Sequence, residues 1–570
     1  MLKKNKINRD ALIWLNKITG SGKLYIGLLM VVQIILGMIG VGYALILREL
    51  LDEAVEGNKV LFFRWIAIFI LVIVVQLFLG ATRRFLNEYT SSVLENRLKE
   101  RLLKYLFNCN YEDVVAVHSG EWMNRLTSDT VIVADTLTQI IPGICGMLIR
   151  MVGALIFFLM LYPKGFIIFV LGGGALLIVT YIFRKKLKIL HKQVQEADGE
   201  LRIYLQECLA SMLVVRIFAQ EKQVVEKAID KMYKHKIMRM KKNNLSNLSN
   251  IGFASVMNGA YVLIAGICGY GILNGTISYG TLMAMIQLLG QIQSPFANIT
   301  GYIPRYYAMI ASTERLMEIE KYQTSIRENE KSVEEIKQFY QTRFQSIIFE
   351  QVDFAYRKRN SNDGEIKVLE NLNLSIHKSS CVAITGPSGC GKSTILKLMM
   401  AIYPIMQGSR IIKTSKDYIP LTMKWRGLFA YVPQGNQLMS GSIREIITFG
   451  DKQQMMEEEK LNLALTIADA KEFVDQLPEG VDTILGEKGT GLSEGQMQRI
   501  AIARAVFADR PILMLDESTS ALDEQTEKRI LQNLQNMTDK TIVIVTHRKA
   551  VLEICDVEIK FSEGQVREVI

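Results

Sequence analysis

Proline is scarce, with ten in 570 residues, at positions 142, 163, 295, 304, 387, 404, 420, 433, 478 and 511. None falls between 83 and 136 or between 184 and 250, so nothing there imposes a proline kink or helix break. Cysteine is scarce too. The seven are odd in number, and no pair has the spacing of a metal site or a dithiol redox motif. That excludes a disulfide framework and fits free thiols in a reducing compartment. No cleavable leader is evident. The first 23 residues are basic and polar, and the apolar stretch after them is too long for a signal h-region. Apolar residues, by contrast, make up 49% of the chain, and mean hydropathy is +0.18. Disorder is thereby excluded. Charged residues are still 22%, too many for a chain lying wholly in lipid. The remaining reading is one part in lipid and one part in water.

A span needs about 20 apolar residues. Six stretches qualify, at 24–47, 60–82, 137–162, 165–183, 251–273 and 279–310. An even number places both termini on one side. The stretch after the fourth carries Arg184, Lys185, Lys186, Lys188 and Lys192, whereas the short opposite loops carry only Arg48, Lys59 and Lys164. Positive loops stay cytoplasmic, so both termini are expected in the cytoplasm, with a bacterial-type plasma membrane as the setting. The net charge of +10 is then mainly a topology signal, and nucleic acid is not an expected partner. The two proline-free links are long, and 97–106 and 224–240 show helical apolar spacing. Each link is expected to run out of the membrane and back as helix; 25 residues would reach about 38 Å.

The expected organisation is a membrane α-helical domain over 1–310, with six spans and long cytoplasmic extensions. A helical linker over 311–343 and an α/β P-loop ATPase domain over 344–570 follow. The strand Cys381–Thr385 leads into Gly386-Pro387-Ser388-Gly389-Cys390-Gly391-Lys392-Ser393-Thr394. This is GxxxxGK[ST] with a strand before it and a helix after it. The loop backbone can point N–H groups at phosphate oxygens. Lys392 can reach the β- and γ-phosphates, and the Ser393 hydroxyl suits Mg²⁺. A second buried strand run, 512–515, ends in Asp516-Glu517. Asp516 is placed to hold Mg²⁺ through water, and Glu517 to polarise the attacking water.

Leu492-Ser493-Glu494-Gly495-Gln496, before a helix expected to begin near Met497, resembles the signature sequence of ATP-binding-cassette (ABC) transporters. Glu494 stands where that family usually has glycine. The resemblance extends, in order, over Tyr356, Tyr431-Val432-Pro433-Gln434, Ser520-Ala521-Leu522-Asp523 and His547. It implies that Tyr356 stacks on adenine, Gln434 approaches Mg²⁺, residues 520–523 cross a dimer interface and His547 contacts the γ-phosphate. It further implies that Ser493, Gly495 and Gln496 cap the γ-phosphate held by another chain. Residues 120–129 and 207–221 resemble the family's coupling segments. Six spans followed by one cassette resemble an exporter half-transporter that uses ATP and Mg²⁺ in membrane lipid. Its partner would be a second half-transporter, identical or paralogous, and its cargo a drug, lipid or peptide. An importer on the same fold and an ATP-gated channel or regulator are the alternatives. Within the spans, Arg150 is a candidate for cargo contact because a mid-membrane charge is costly. Gln287 and Gln291 lie four apart on one helix face and are the other candidates, in a polar stripe continued by Gln293 and Asn298.

Overall fold

The computed structural model describes residues 2–163, 166–322, 331–357, 365–435, 437–451, 453–486, 491–562 and 565–569. Within its helices and strands, the side chains of 2–8, 166–173, 175–177, 179–180, 184, 294–300, 303, 321, 357, 365, 549 and 567–569 also lie outside the description. Two compact units emerge. One holds residues 1–101 and 124–317, the other 102–123 and 318–570.

The first unit is helical. Its chain order is α1 (Leu2–Thr19), α2 (Gly22–Glu56), α3 (Lys59–Leu106), α4 (Tyr111–Ala116), α5 (Ser119–Asn124), α6 (Thr130–Leu161), α7 (Phe166–Ala210), α8 (Met212–Ile217), α9 (Glu221–Leu273) and α10 (Tyr279–Glu318). Helices α4 and α5 belong almost wholly to the second unit. The proline-poor links are helical, as their composition requires. Helix α3 runs 48 residues and α9 runs 53 without a break, about 72 and 80 Å at 1.5 Å per residue. Among the described residues, four helical segments are long and apolar enough to cross a membrane, at 22–56, 59–106, 119–161 and 221–273. The fourth expected span falls largely on side chains outside the description. The sixth lies in α10, whose polar content dilutes its hydropathy.

Small residues set the helix contacts. A Cβ on Gly37 would stand 2.9 Å from the Gly146 carbonyl oxygen, and one on Gly146 would stand 3.0 Å from that of Gln33. Helices α2 and α6 therefore meet backbone to backbone, the usual device where lipid offers no hydrophobic contrast. Above this crossing, Val41, Ala44, Ala154, Phe158, Ile264 and Leu288 form one buried cluster from four helices. The start of α10 is tied by Asp52, which accepts from the Gly280 N–H at 2.9 Å and the Ser278 hydroxyl at 2.8 Å. A π-helical turn, Arg125–Asp129, joins α5 to α6. Its fully buried Asp129 accepts from Arg315 Nε and the Ser312 hydroxyl, both at 2.8 Å. The Arg125 guanidinium donates to the Arg315 carbonyl at 2.9 Å, so the turn is fastened to the end of α10.

The second unit is α/β. Of the expected linker, residues 323–330 lie outside the described residues. A helix, Val333–Thr342, then opens on a Ser332–Glu335 capping box. The principal sheet has six strands in the order Gln565–Val569, Val557–Ser562, Cys381–Thr385, Thr541–Val545, Ile512–Asp516 and Phe429–Val432. All neighbours are parallel except the first pair. The central runs Ile512–Asp516 and Thr541–Val545 are buried at every position, as a sheet covered on both faces requires. A four-stranded antiparallel sheet flanks it. Residues 102–123 pack with this unit, with the Tyr111 ring edge-on to Tyr403 at 5.7 Å between centroids.

Candidate functional site

In a parallel sheet the loops after the strands gather at the carboxyl edge. Three such loops meet here. The loop after Cys381–Thr385 carries residues 386–391 and feeds the helix Lys392–Met399. Gly386 has φ 148°, and a Cβ there would lie 2.0 Å from the Phe561 carbonyl oxygen, so only glycine fits the turn. Lys392 is almost fully buried, and its ammonium donates to the Gly386 and Pro387 carbonyls at 2.8 and 2.9 Å. The charge is thus held inside the loop's own curl. Ser388 and Gly389 form the exposed turn, while Cys390, Gly391 and Ser393 are half-buried and Thr394 is buried at the helix start.

The next strand delivers Asp516, 2% exposed. Its two oxygens accept from the Ser393 hydroxyl at 2.8 Å and the Tyr431 hydroxyl at 2.9 Å. Burial raises the Asp516 pKa, against the lowering effect of those two donors, and the Glu517 charge raises it further. Burial also raises the Tyr431 pKa, with the Asp516 charge second. Ser393 and Asp516 present hard oxygen ligands side by side, a donor set suited to Mg²⁺. Glu517 sits at φ 48°, unusual for a non-glycine residue, and its N–H donates to the Val545 carbonyl at 3.1 Å. Gln434 Nε2 donates to one Glu517 oxygen at 2.7 Å, and His547 Nε2 lies 3.6 Å from the other. Backbone strain held by surrounding contacts is a mark of functional positions.

Lys392, Ser393, Asp516, Glu517, Gln434 and His547 therefore converge. Tyr356 joins them at the rim. Its hydroxyl pairs with Thr394 at 3.1 Å, and its ring stands edge-on to Phe354 and Tyr403. Ser493, Gly495 and Gln496 do not join them; among the described residues none bonds to 386–394. The signature helix spans Glu494–Phe507, three residues earlier than expected, because Ser493 and Gln496 form a capping box at 3.2 and 2.9 Å. Glu494 is exposed in its first turn. Two residues not anticipated as site members brace this surface. Buried Gln498 bonds Ser520 at 3.2 Å and the Ala521 N–H at 3.1 Å. Arg548 donates to the Ser520 and Leu522 carbonyls at 2.7 and 3.0 Å and to the buried Glu527 at 2.7 Å. It thereby ties the His547 loop to residues 520–522.

In the membrane unit, Arg150 Nε is buried and has no hydrogen-bond partner among the described residues. A Cβ on Gly40 would stand 3.6 Å from it and 3.4 Å from Gln291 Oε1. Arg150 and Gln291 thus flank one point on α2. Gln287 and Gln291 together line a cavity of about 480 Å³ with Tyr261.

A nucleotide-binding P-loop fold fused to long membrane helices defines an ATP-powered membrane transporter. Family comparison agrees. Residues 26–296 match the ABC transporter transmembrane region and 369–520 match the ABC transporter ATP-binding domain. Together these cover well over half of the chain, and it belongs to the ABC transporter superfamily, coupling ATP hydrolysis to transport. ABC transporter B family member 1 of Dictyostelium discoideum is 30% identical over 83% of this chain, which spans about half (51%) of that relative's length. The ABC transporter ATP-binding protein YfiC of Bacillus subtilis is 27% identical over 98% of this chain and 90% of its own. The leukotoxin translocation ATP-binding protein of Mannheimia haemolytica is 27% identical over 87% and 68%. A bacterial Atm1-family ABC exporter solved with ATP bound shares the fold, with TM-score 0.74, 21% identity and coverage of 97% and 95%.

Proposed function

We propose that this chain is a half-transporter that dimerises and exports a drug, lipid or peptide by alternating access. The reading fits a multi-pass protein of a bacterial-type plasma membrane with both termini in the cytoplasm. The observation that carries it is the cluster around Glu517, whose carboxylate is oriented by Gln434 and His547 beside the phosphate loop. An ATP-gated channel or regulator has no need of such a hydrolytic pair.

ATP sits with its phosphates in 386–394 and its adenine against Tyr356. Ser393, Asp516 and, on the open side, Gln434 would hold Mg²⁺, which when bound would supply charge neutralisation for the phosphates. Glu517 orients the attacking water, while His547 and Lys392 stabilise the γ-phosphate. Ser493, Gly495 and Gln496 form no part of their own chain's cluster, so they serve the opposite chain at a helix N-terminus suited to anions. Cassette closure then turns the membrane unit outward. Arg150, Gln287 and Gln291 face cargo, since a guanidinium whose buried Nε has no partner among the described residues needs an anion or carbonyl inside a membrane bundle to offset its cost.

Glu517→Gln tests the hydrolytic assignment. It removes the water-orienting carboxylate and keeps the phosphate loop and metal ligands. Phosphate release from the purified variant in lipid vesicles should fall about 10²–10⁴-fold, with ATP binding retained. Turnover near that of the parent would reject Glu517.

A further inference from the structure

A cavity of about 470 Å³ lies where α2, α3, α6 and α10 meet, with Arg83, Arg84, Gln139, Tyr302 and Arg305 in its wall. Arg83 and Arg84 directly follow the apolar stretch 60–82, which puts the cavity at the cytoplasmic border of the bilayer. Glu88 is the one acid in the wall, and among the described residues no ion pair engages any of the three arginines. Arg305 donates to Gln139 Oε1 at 2.7 Å, which fixes one guanidinium toward a neutral neighbour. Gly143 leaves room for Tyr302: a Cβ there would stand 2.6 Å from the tyrosine hydroxyl. The positive-inside bias explains basic residues near the cytoplasm. It does not require them to surround a concavity, where their mutual repulsion costs stability. A cleft lined by one sign of charge concentrates counter-ions, and this volume lies in the range of small-ligand pockets.

The wall continues upward. Gln139, Gly143, Gly146 and Arg150 are spaced four, three and four residues apart, one face of α6. Above Arg150 come Gln291 and Gln287 with their own cavity. A cationic stretch therefore runs from the cytoplasmic border toward the polar middle of the bundle.

We propose that this cavity is the cytoplasmic vestibule of the cargo path and selects cargo bearing an acidic group, a carboxylate or phosphate, held by Arg83, Arg84 and Arg305. The proposal rests on the transporter reading, narrows its cargo class, and adds three residues that no sequence motif marks.

The test is dye binding by the full chain in phosphatidylcholine nanodiscs, read by fluorescence anisotropy without ATP. Carboxyfluorescein is the anionic probe and rhodamine 6G the cationic control. The parent should bind carboxyfluorescein saturably. Arg83→Ala and Arg305→Ala should each weaken it about tenfold, the loss of one charge-assisted bond, and leave rhodamine 6G unaffected. Arg305→Lys should lose less than Arg305→Ala. Each variant's melting temperature is measured alongside; Arg84→Gln, at an exposed position, stands in if either change prevents folding. Unchanged carboxyfluorescein affinity in well-folded variants would overturn the proposal. So would a parent that ignores the dye but loses co-purifying phosphatidylglycerol on Arg83→Ala, which would assign the cavity to a lipid headgroup. No turnover is involved, so failure here is separable from failure of Glu517→Gln.

Discussion

Asp516 shows what one residue's surroundings add to a motif. Its place at a strand end beside the phosphate loop is legible in the sequence, because the apolar run ending in Asp-Glu follows a phosphate-loop motif in the same α/β domain; alone, such acids often serve only as caps. Its two hydrogen bonds are not. Ser393 and Tyr431 lie 123 and 85 residues away, and no local pattern encodes such pairings. Burial raises its pKa above the ordinary ~3.9, with a pH consequence for the nucleotide-free chain. The folded state holds the proton more tightly than the unfolded one. Its contribution is therefore greatest below the unfolded value and declines as pH rises through the folded value. Asp516→Asn removes that decline. Its melting temperature relative to the parent should rise between pH 4 and pH 8, by about 2–4 °C per kcal/mol relieved. Calorimetry across that range checks it; a difference independent of pH would contradict the assignment. Glu517 and Tyr356 also divide between pattern and context. Their identities are readable, but the left-handed backbone of one and the edge-on ring packing of the other are tertiary facts.

Long helices are the most legible elements, because proline-free stretches with helical apolar spacing impose no break on the chain. The crossing of α2 and α6 is not legible, since one glycine among many in an apolar stretch carries no partner label. Geometry separates them. Gly37 meets the Gly146 backbone, whereas a Cβ on Gly42 would meet none of the described residues within 4 Å. Gly37→Leu should cost about 1–3 kcal/mol through overpacking, and Gly42→Leu within about 0.5 kcal/mol of zero. Thermal unfolding in detergent distinguishes them; equal melting temperatures would mean the helices do not meet at Gly37. The signature helix shows a boundary misplaced by three residues. Gly495 in its first turn lowers helix propensity, whereas the Ser493–Gln496 box supplies the start. The π-helical turn at 125–129 has no sequence mark, because it depends on Asp129 finding Ser312 and Arg315 far along the chain.

On the scale of the whole molecule, the order of membrane half and cassette is readable end to end, because each cassette motif carries its chemistry in a fixed local spacing. Cargo recognition is not, because its candidate residues come from three helices, α3, α6 and α10, far apart along the chain. The central claim is that one chain's signature helix completes another chain's phosphate site. It is tested most directly with two cysteine-depleted versions of the chain, co-expressed on a Glu517→Gln background. One carries Ser388→Cys, the other Glu494→Cys. Position 494 is exposed, whereas Gly495 has the Ala521 carbonyl 3.0 Å from any added Cβ. With ATP and Mg²⁺ present, mild oxidation should join the two versions into a disulfide-linked pair on a non-reducing gel. Without nucleotide the pair should be sparse. Absence of the crosslink in chains that bind ATP, or its formation to the same extent without ATP, would contradict the two-chain site.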